Sequence, residues 1–181
     1  MSIILLRGFS HSGKDFVGNI LSGKYGYKRF AFADSLKIMV SNDFKCPLEQ
    51  LHSQEGKLQI CESDTKKRTY RQILIDEALR LRNIDSGVFA KHCCKEIKKS
   101  GFNKIVITDW RYPNEIDIIT EEFPTYNVVP VHIIRSGQLS SPVNDISEYQ
   151  LDSRNTDRTI INNLDNSIFK EIQVLMDFIE K

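Results

Sequence analysis

Residues 3–17 read Ile3-Ile4-Leu5-Leu6-Arg7-Gly8-Phe9-Ser10-His11-Ser12-Gly13-Lys14-Asp15-Phe16-Val17. An apolar run with β-branched members feeds a small polar loop, which gives way to helical spacing at Phe16, Ile20 and Leu21. The pattern predicts strand, loop, helix. Gly8, Gly13 and Lys14 stand at the spacing G-x-x-x-x-G-K. Glycines let successive backbone N–H groups converge on phosphate oxygens, the lysine reaches the β- and γ-phosphates, and the helix N-terminus adds partial positive charge. The stretch is therefore expected to be a phosphate cradle for a nucleoside triphosphate. Asp15 stands where a Ser or Thr normally offers its hydroxyl to Mg²⁺, and a carboxylate there can hold a hydrated Mg²⁺ or cap the helix.

Outward from the cradle, the first helix is expected to stop near Gly23 or Gly26. Tyr27 to Phe32 reads as a second strand that turns into another helix with Asp34 or Ser35 as N-cap. In an open parallel sheet ligands gather outside the carboxyl ends of the strands, which places Asp34 and Lys37 at the edge that meets a second substrate. Residues 42–69 are polar and carry Pro47, predicting a short helix and an exposed connection. Two helical stretches follow between Thr69 and Lys99, separated by Asn83-Ile84-Asp85-Ser86-Gly87. In the second, His92 reads as a helix-face residue.

Lys104-Ile105-Val106-Ile107-Thr108-Asp109 is the clearest buried strand, an apolar run ending in an acid. Beside a phosphate cradle, such an Asp can hold a magnesium shell or orient a nucleophile. Arg111, two residues on, carries a planar fork suited to transferring phosphoryl oxygens. Pro113 suits the first turn of the next helix. Tyr126 to Ile134 predicts a fourth strand ending at Arg135. Residues 136–157 form a polar stretch expected to be a mobile lid, with Arg154 in it and Arg158 just beyond. Arg158 to Asn163 predicts a fifth strand, and Ser167 to Ile179 an amphipathic closing helix. The succession predicts a single α/β domain: three layers in the manner of P-loop NTPases, a mostly parallel five-stranded sheet and the cradle strand near its centre.

At 181 residues, 40% apolar and 27% charged, the chain has the composition of an ordinary globular domain. A net charge of +1 argues against a general nucleic-acid or membrane-surface binder. The absence of a leader and of a long apolar run sets the expectation of a cytoplasmic protein. The four cysteines show no C-x-x-C spacing, so free thiols are expected; a zinc site from Cys46, His52, Cys61 and one of His92, Cys93 or Cys94 fits no usual ligand pattern. Arginines scattered over helices and loops, an acid and an arginine at a strand end, and a long polar lid together favour phosphoryl transfer to a small acceptor. A regulatory GTPase would show an N-K-x-D element, which the sequence lacks.

Gly8 to Asp15 with its G-K-D ending, Phe32-Ala33-Asp34-Ser35-Leu36-Lys37, Asp109-Trp110-Arg111-Tyr112-Pro113-Asn114-Glu115, Arg135-Ser136-Gly137 and Ile161-Asn162-Asn163 together resemble the deoxynucleoside monophosphate kinases of phages and large DNA viruses. The resemblance spans nearly the whole chain. It implies transfer of the γ-phosphoryl group of ATP to a deoxynucleoside 5′-monophosphate, with Mg²⁺ bridging the phosphates, in a cytoplasm that is the host's if the source is viral. It implies that Gly8 and Ser10 to Phe16 (Ser10, His11, Ser12, Gly13, Lys14, Asp15 and Phe16) wrap the ATP phosphates, with Arg135 and Asn163 near the adenine. Asp34 and Lys37 would lie near the acceptor, Arg71 or Arg82 would contact its phosphate, and Arg111 would bridge the two phosphoryl groups. Lys14, Arg111 and Asp109 would be the catalytic set, with Asp15 and Asp109 holding the metal directly or through water. Phe16 departs from the Thr that often follows G-K-D. Related nucleotide kinases are often dimers, so the resemblance admits a homodimer.

The animal phosphomevalonate kinases are similar too. They share a G-K-D-F-V stretch like Gly13 to Val17, a segment like Arg82 to Phe89 and an acid-rich lid before an Asn-ended strand. The Trp110-to-Glu115 element resembles the nucleotide enzymes more closely. A reading from another class is an ATP-binding module with no acceptor, whose slow turnover no small monophosphate accelerates.

Overall fold

The computed structural model describes residues 1–139, 147, 149–151, 156 and 158–180. The remainder of the expected lid, Arg154 included, lies outside the described residues. The chain forms two compact units, one of residues 1–31 with 94–181 and one of residues 32–93.

The first unit carries a five-stranded, all-parallel sheet in the order β2-β3-β1-β4-β5. The strands are β1 (Ser2–Arg7), β2 (Lys28–Phe30), β3 (Lys104–Ile107), β4 (Asn127–Arg135) and β5 (Arg158–Asn162). Its helices are α1 (Lys14–Tyr25), α7 (Pro113–Glu122) and α8 (Ser167–Ile179), with α6 (Val88–Ser100) crossing the boundary between the units. The α/β class, the parallel sheet and the central cradle strand are as expected. Ile3, Ile4, Leu5 and Leu6 are all fully buried, as a strand covered on both faces requires. Ile4 and Leu6 join Val17 and Leu21 of α1 and Ile168, Ile172, Leu175 and Met176 of α8 in one cluster. Ile3 and Leu5 point the other way, as the two-residue strand period demands.

Glycine ends α1 and sets its closest approach to the sheet. Gly26 ends α1 in the left-handed region at φ 74°, its N–H donating to Leu21 O. Gly18 lets α1 approach β3 so closely that a Cβ there would lie 2.6 Å from Thr108 Cγ2. This contact brings the β3 end that carries Asp109 against the helix leaving the cradle.

The second unit is helical, with α2 (Asp34–Phe44), α3 (Leu48–His52), α4 (Gln54–Leu58), α5 (Tyr70–Ile84) and the start of α6. Two short helices replace the single one expected over 42–69, and an antiparallel bridge between Ile60 and Thr69 closes the connection. Thr69 and Gln72 form a reciprocal capping box at the start of α5. Asp34 and Ser35 do not cap α2: Ala33 holds the cap position without a side-chain bond. Asp34 is instead the first helical residue, where its charge suits the helix dipole and meets Lys37 Nζ at 3.3 Å. Asp85 does serve the next helix, accepting from Gly87 N at 2.9 Å and from Lys91 Nζ at 2.8 Å.

Asp64 is buried in this unit and ties its connection together. Its Oδ2 accepts from Arg68 Nε at 2.9 Å and from the Arg68 main-chain N–H at 2.9 Å, and its Oδ1 from Arg68 Nη2 at 3.0 Å. The Arg68 guanidinium holds the Asp64 carboxyl well below the usual carboxylate range. A depressed folded-state pKa stabilises the fold fully above the unfolded carboxylate value, about pH 4, and the contribution is lost as pH falls from there toward the depressed value. Asp64→Asn is therefore expected to lower the urea midpoint at pH 6 and to shrink the further drop between pH 5 and pH 3. An unchanged acid limb in the variant would remove Asp64 from this role.

Candidate active site

The cradle is built as the sequence predicts and is held from outside by β4 and β5. Gly8 lies at φ 144° and Gly13 at φ 107°, conformations that a side chain rarely adopts. A Cβ on Gly8 would stand 2.3 Å from Ile133 O, and one on Gly13 would stand 2.5 Å from Asn162 Nδ2. Three consecutive loop carbonyls accept side-chain donors: Ser10 O from Gln138 Nε2 at 2.9 Å, His11 O from Arg135 Nη1 at 3.4 Å and Ser12 O from Asn162 Nδ2 at 2.9 Å. A trans peptide sends each N–H opposite its carbonyl. Tying the Ser10 and Ser12 carbonyls outward therefore turns the N–H groups of His11 and Gly13 to the other side, the arrangement that a phosphate oxygen requires. Lys14 Nζ spans the loop, donating to Gly8 O at 2.7 Å and Phe9 O at 2.8 Å. The Ser12 hydroxyl is buried with no hydrogen-bond partner among the described residues, and an incoming phosphate oxygen fits that need.

Asn162 and Gln138 were not singled out from the sequence. The Asn-ended fifth strand is legible, but the residue that the resemblance puts near the adenine, Asn163, is exposed and donates to Ser167 Oγ at 3.2 Å. Asn162 is the buried one, and its Oδ1 also accepts from Leu164 N at 3.0 Å. Arg135 pairs with Asn162 in the β4–β5 register, which is why both reach the loop.

On α1, Asp15 is largely exposed and pairs with Arg29 at 2.8 Å, and Phe16 packs edge-on to Phe169 with ring centroids 6.1 Å apart. At the end of β3, Trp110 is buried, its N–H donating to Leu6 O at 3.2 Å and its Nε1 to Tyr112 O at 3.0 Å. Glu115 is 1% exposed and its Oε2 accepts from the N–H groups of Arg111 at 3.0 Å and Tyr112 at 3.1 Å. Glu115 thus fixes the turn that carries Arg111, whose Nη1 donates to Ser147 Oγ at 2.7 Å. An acid at the third position of a helix opened by proline is a sequence signal for this role. Glu115→Ala leaves two N–H groups without their charged acceptor and is expected to cost about 3 kcal/mol in urea denaturation; a loss below about 1 kcal/mol would show that the turn holds itself.

The remaining expected contacts lie in the second unit. Lys37 Nζ lies near both Asp34 and His52 Nδ1, the latter at 3.2 Å. Arg71 donates to Gln54 Oε1 at 2.9 Å, and Arg82 donates to Ser86 O at 3.2 Å and lies 4.8 Å from the Phe89 ring centre. Both arginines are on α5, eleven positions or roughly 16 Å apart along the axis, so one phosphate does not bridge them there. The four cysteines are buried free thiols, and burial pushes the Cys94 thiol up to about 12. Among the described residues no group of three or more His, Cys, Asp or Glu could hold a metal, so the zinc arrangement does not assemble. Nor is any described helix long and apolar enough to cross a membrane.

No curated protein matches the chain at a significant level. Solved structures share its fold: a shikimate kinase from Aquifex aeolicus is 15% identical over 97% of this chain and 96% of that one, with a TM-score of 0.51. TT1252 from Thermus thermophilus is 12% identical over 97% and 94%, with a TM-score of 0.50. At such identities the likeness is one of fold. The phosphomevalonate kinase family matches residues 6–125, a span that begins at the end of β1, takes in the whole cradle and passes through the Asp109-to-Glu115 turn. The chain is a P-loop kinase and belongs to the phosphomevalonate kinase family.

Proposed function

We propose that the chain transfers the γ-phosphoryl group of ATP onto an existing phosphate monoester, and that the acceptor is a deoxynucleoside 5′-monophosphate. The observation that carries the reading is the Asp109-to-Glu115 turn: Glu115 holds it, and Arg111 lines one cavity together with Gly8 and Phe9 of the cradle. A guanidinium beside a phosphate loop suits a reaction between two anions. The acceptor-phosphate oxygen forms the new bond to the γ-phosphorus, the bond to the β,γ-bridging oxygen breaks, and ADP leaves. A phosphate dianion needs no base to attack. Lys14 trades its carbonyl partners for β- and γ-oxygens, the loop N–H groups hold the same oxygens, and Arg111 neutralises the transferring group. Asp109 and Asp15 are the carboxylates that would hold Mg²⁺, an ion satisfied by one or two carboxylates with phosphate oxygens and water. When bound it neutralises phosphate charge.

The acceptor assignment rests on the Trp110-to-Glu115 element. A second reading, mevalonate 5-phosphate, is favoured by the family match and uses the same residues, because its acceptor atom is also a phosphate oxygen. A coupled ADP-release assay with Mg·ATP against deoxy- and ribonucleoside monophosphates and mevalonate 5-phosphate separates them. Stimulation by a deoxynucleotide is expected. Stimulation by mevalonate 5-phosphate alone moves the same machinery to the second reading, and silence across the panel points to an ATP-binding module.

A further inference from the structure

We infer that the chain carries a second ligand site at the opposite end of the sheet from the cradle, a slot between two loops that takes the neutral planar ring of a free nucleoside. The cavity there measures about 300 Å³ and lies wholly within the first unit. It opens where the chain enters β3 and β4. Lys104 and Asn127, the first residues of those strands, both stand opposite Ser2 of β1, so the two entering loops reach the sheet at one level. They lie about 10 Å apart, twice the strand spacing. Main-chain bonds fix both loops: Ser2 N donates to Asn103 O at 3.0 Å, and Asn127 N donates to Met1 O at 3.0 Å.

The walls of the slot are aromatic. Phe102 comes from the loop after α6, and Phe123 and Tyr126 come from the loop after α7. Phe123 is buried and packs edge-on to Tyr126 with ring centroids 5.2 Å apart. Phe102 is 47% exposed. Lys28, which does not line the cavity, holds Nζ 5.5 Å from the Phe102 ring centre, so that ring has an ammonium on one side and the cavity on the other. Aromatic groups stack with centroids roughly 4.5–7 Å apart, which a flat guest between these loops satisfies. The volume is at the small end of the range, about 300–1,000 Å³, that holds small ligands.

The polar atoms define the kind of ring. Tyr126 donates its hydroxyl to Asn103 Oδ1 at 3.3 Å, which orients the amide and turns its Nδ2 hydrogens into the donors on offer. The ring nitrogens and carbonyls of a nucleobase accept from such donors, and a hydrocarbon ring has nothing to offer them. Charge adds a second constraint. Of the described residues that line the cavity, only Lys98 and Glu122 are charged, and they pair with each other. The contact raises the Lys98 pKa and lowers that of Glu122, so both stay ionised and cancel. The slot therefore favours a neutral base over a phosphate-bearing one.

The test titrates the full chain with deoxyadenosine and with thymidine by calorimetry, the cradle being filled with Mg²⁺ and a β,γ-imido ATP analogue. At least one nucleoside is expected to bind. Phe102→Ala should weaken that binding about tenfold, the worth of one stacked base. Asn103→Asp, which still accepts from Tyr126 and has lost the donors, should weaken it by about as much. If Phe102→Ala does not fold, Asn103→Asp carries the test. Failure of both nucleosides to bind the wild type overturns the site. Equal affinity in the wild type and Phe102→Ala puts the nucleoside elsewhere and overturns it too. Asn103→Asp binding as well as the wild type, or benzyl alcohol binding as tightly as the nucleosides, overturns the nucleobase reading. Thymidine 5′-monophosphate held more tightly than thymidine, in a manner that depends on Phe102, overturns the preference for a neutral guest. None of these outcomes depends on which acceptor the cradle serves.

Discussion

Lys14→Ala is expected to lower kcat by at least about 10²–10³-fold while the protein melts at the wild-type temperature. The reason is in what Nζ touches. It bonds the carbonyls of Gly8 and Phe9 at 2.7 and 2.8 Å, across the loop that the proposed reaction assigns to the triphosphate. Phosphate oxygens are better acceptors for an ammonium than carbonyls, so the bound nucleotide takes the lysine over, and charge developing on the transferring group strengthens the contact. The fold does not depend on that ammonium. Lys14 is the first residue of α1 and contributes nothing to the apolar cluster between the sheet, α1 and α8. The loop keeps its shape through Gln138, Arg135 and Asn162, which hold three of its carbonyls from β5 and the end of β4. Coupled ADP release and a thermal melt check both halves. Turnover near the wild-type rate would remove the cradle reading, and a lowered melting temperature would show that the lysine also props the loop.

How much could be read in advance follows the range of the interactions. The cradle was legible because its glycines, lysine and flanking periodicities lie within fifteen consecutive residues. The five strands were legible because burial on both faces writes continuous apolar runs into β1, β3 and β4, and the closing helix because Ile168, Ile172, Leu175 and Met176 repeat along one face. What escaped depends on register between strands distant in sequence. Asn162 reaches Ser12 across 150 positions, and Gln138 reaches Ser10 across 128. Nothing local distinguishes Asn162 from Asn163, since their opposite fates are decided by which one faces the loop. The stretch 42–69 is hard to read because its order comes from scattered polar ties such as Asp64 with Arg68 rather than from a periodic apolar face.

Arg111→Ala is expected to reduce kcat by about 10²-fold with a much smaller rise in either KM. The transition state of phosphoryl transfer spreads charge over equatorial oxygens, and a fork that neutralises them is worth more there than in the ground state. Arg111 stands on a turn whose backbone N–H groups are bound to the buried Glu115 carboxylate, and its Nη1 donates to Ser147 Oγ. Steady-state kinetics in both substrates separate the effects: a pure KM increase would make Arg111 a ground-state contact. Arg111→Lys should recover only part of the loss, because an ammonium returns charge without two parallel donors. Glu115→Ala should also lower kcat, by releasing the turn. If Glu115 affects catalysis only through Arg111, the double variant should lose no more activity than Arg111→Ala alone, a coupling that a double-mutant cycle reads directly. Additive losses would show that Glu115 supports the site by a second route, through Tyr112 and the start of α7.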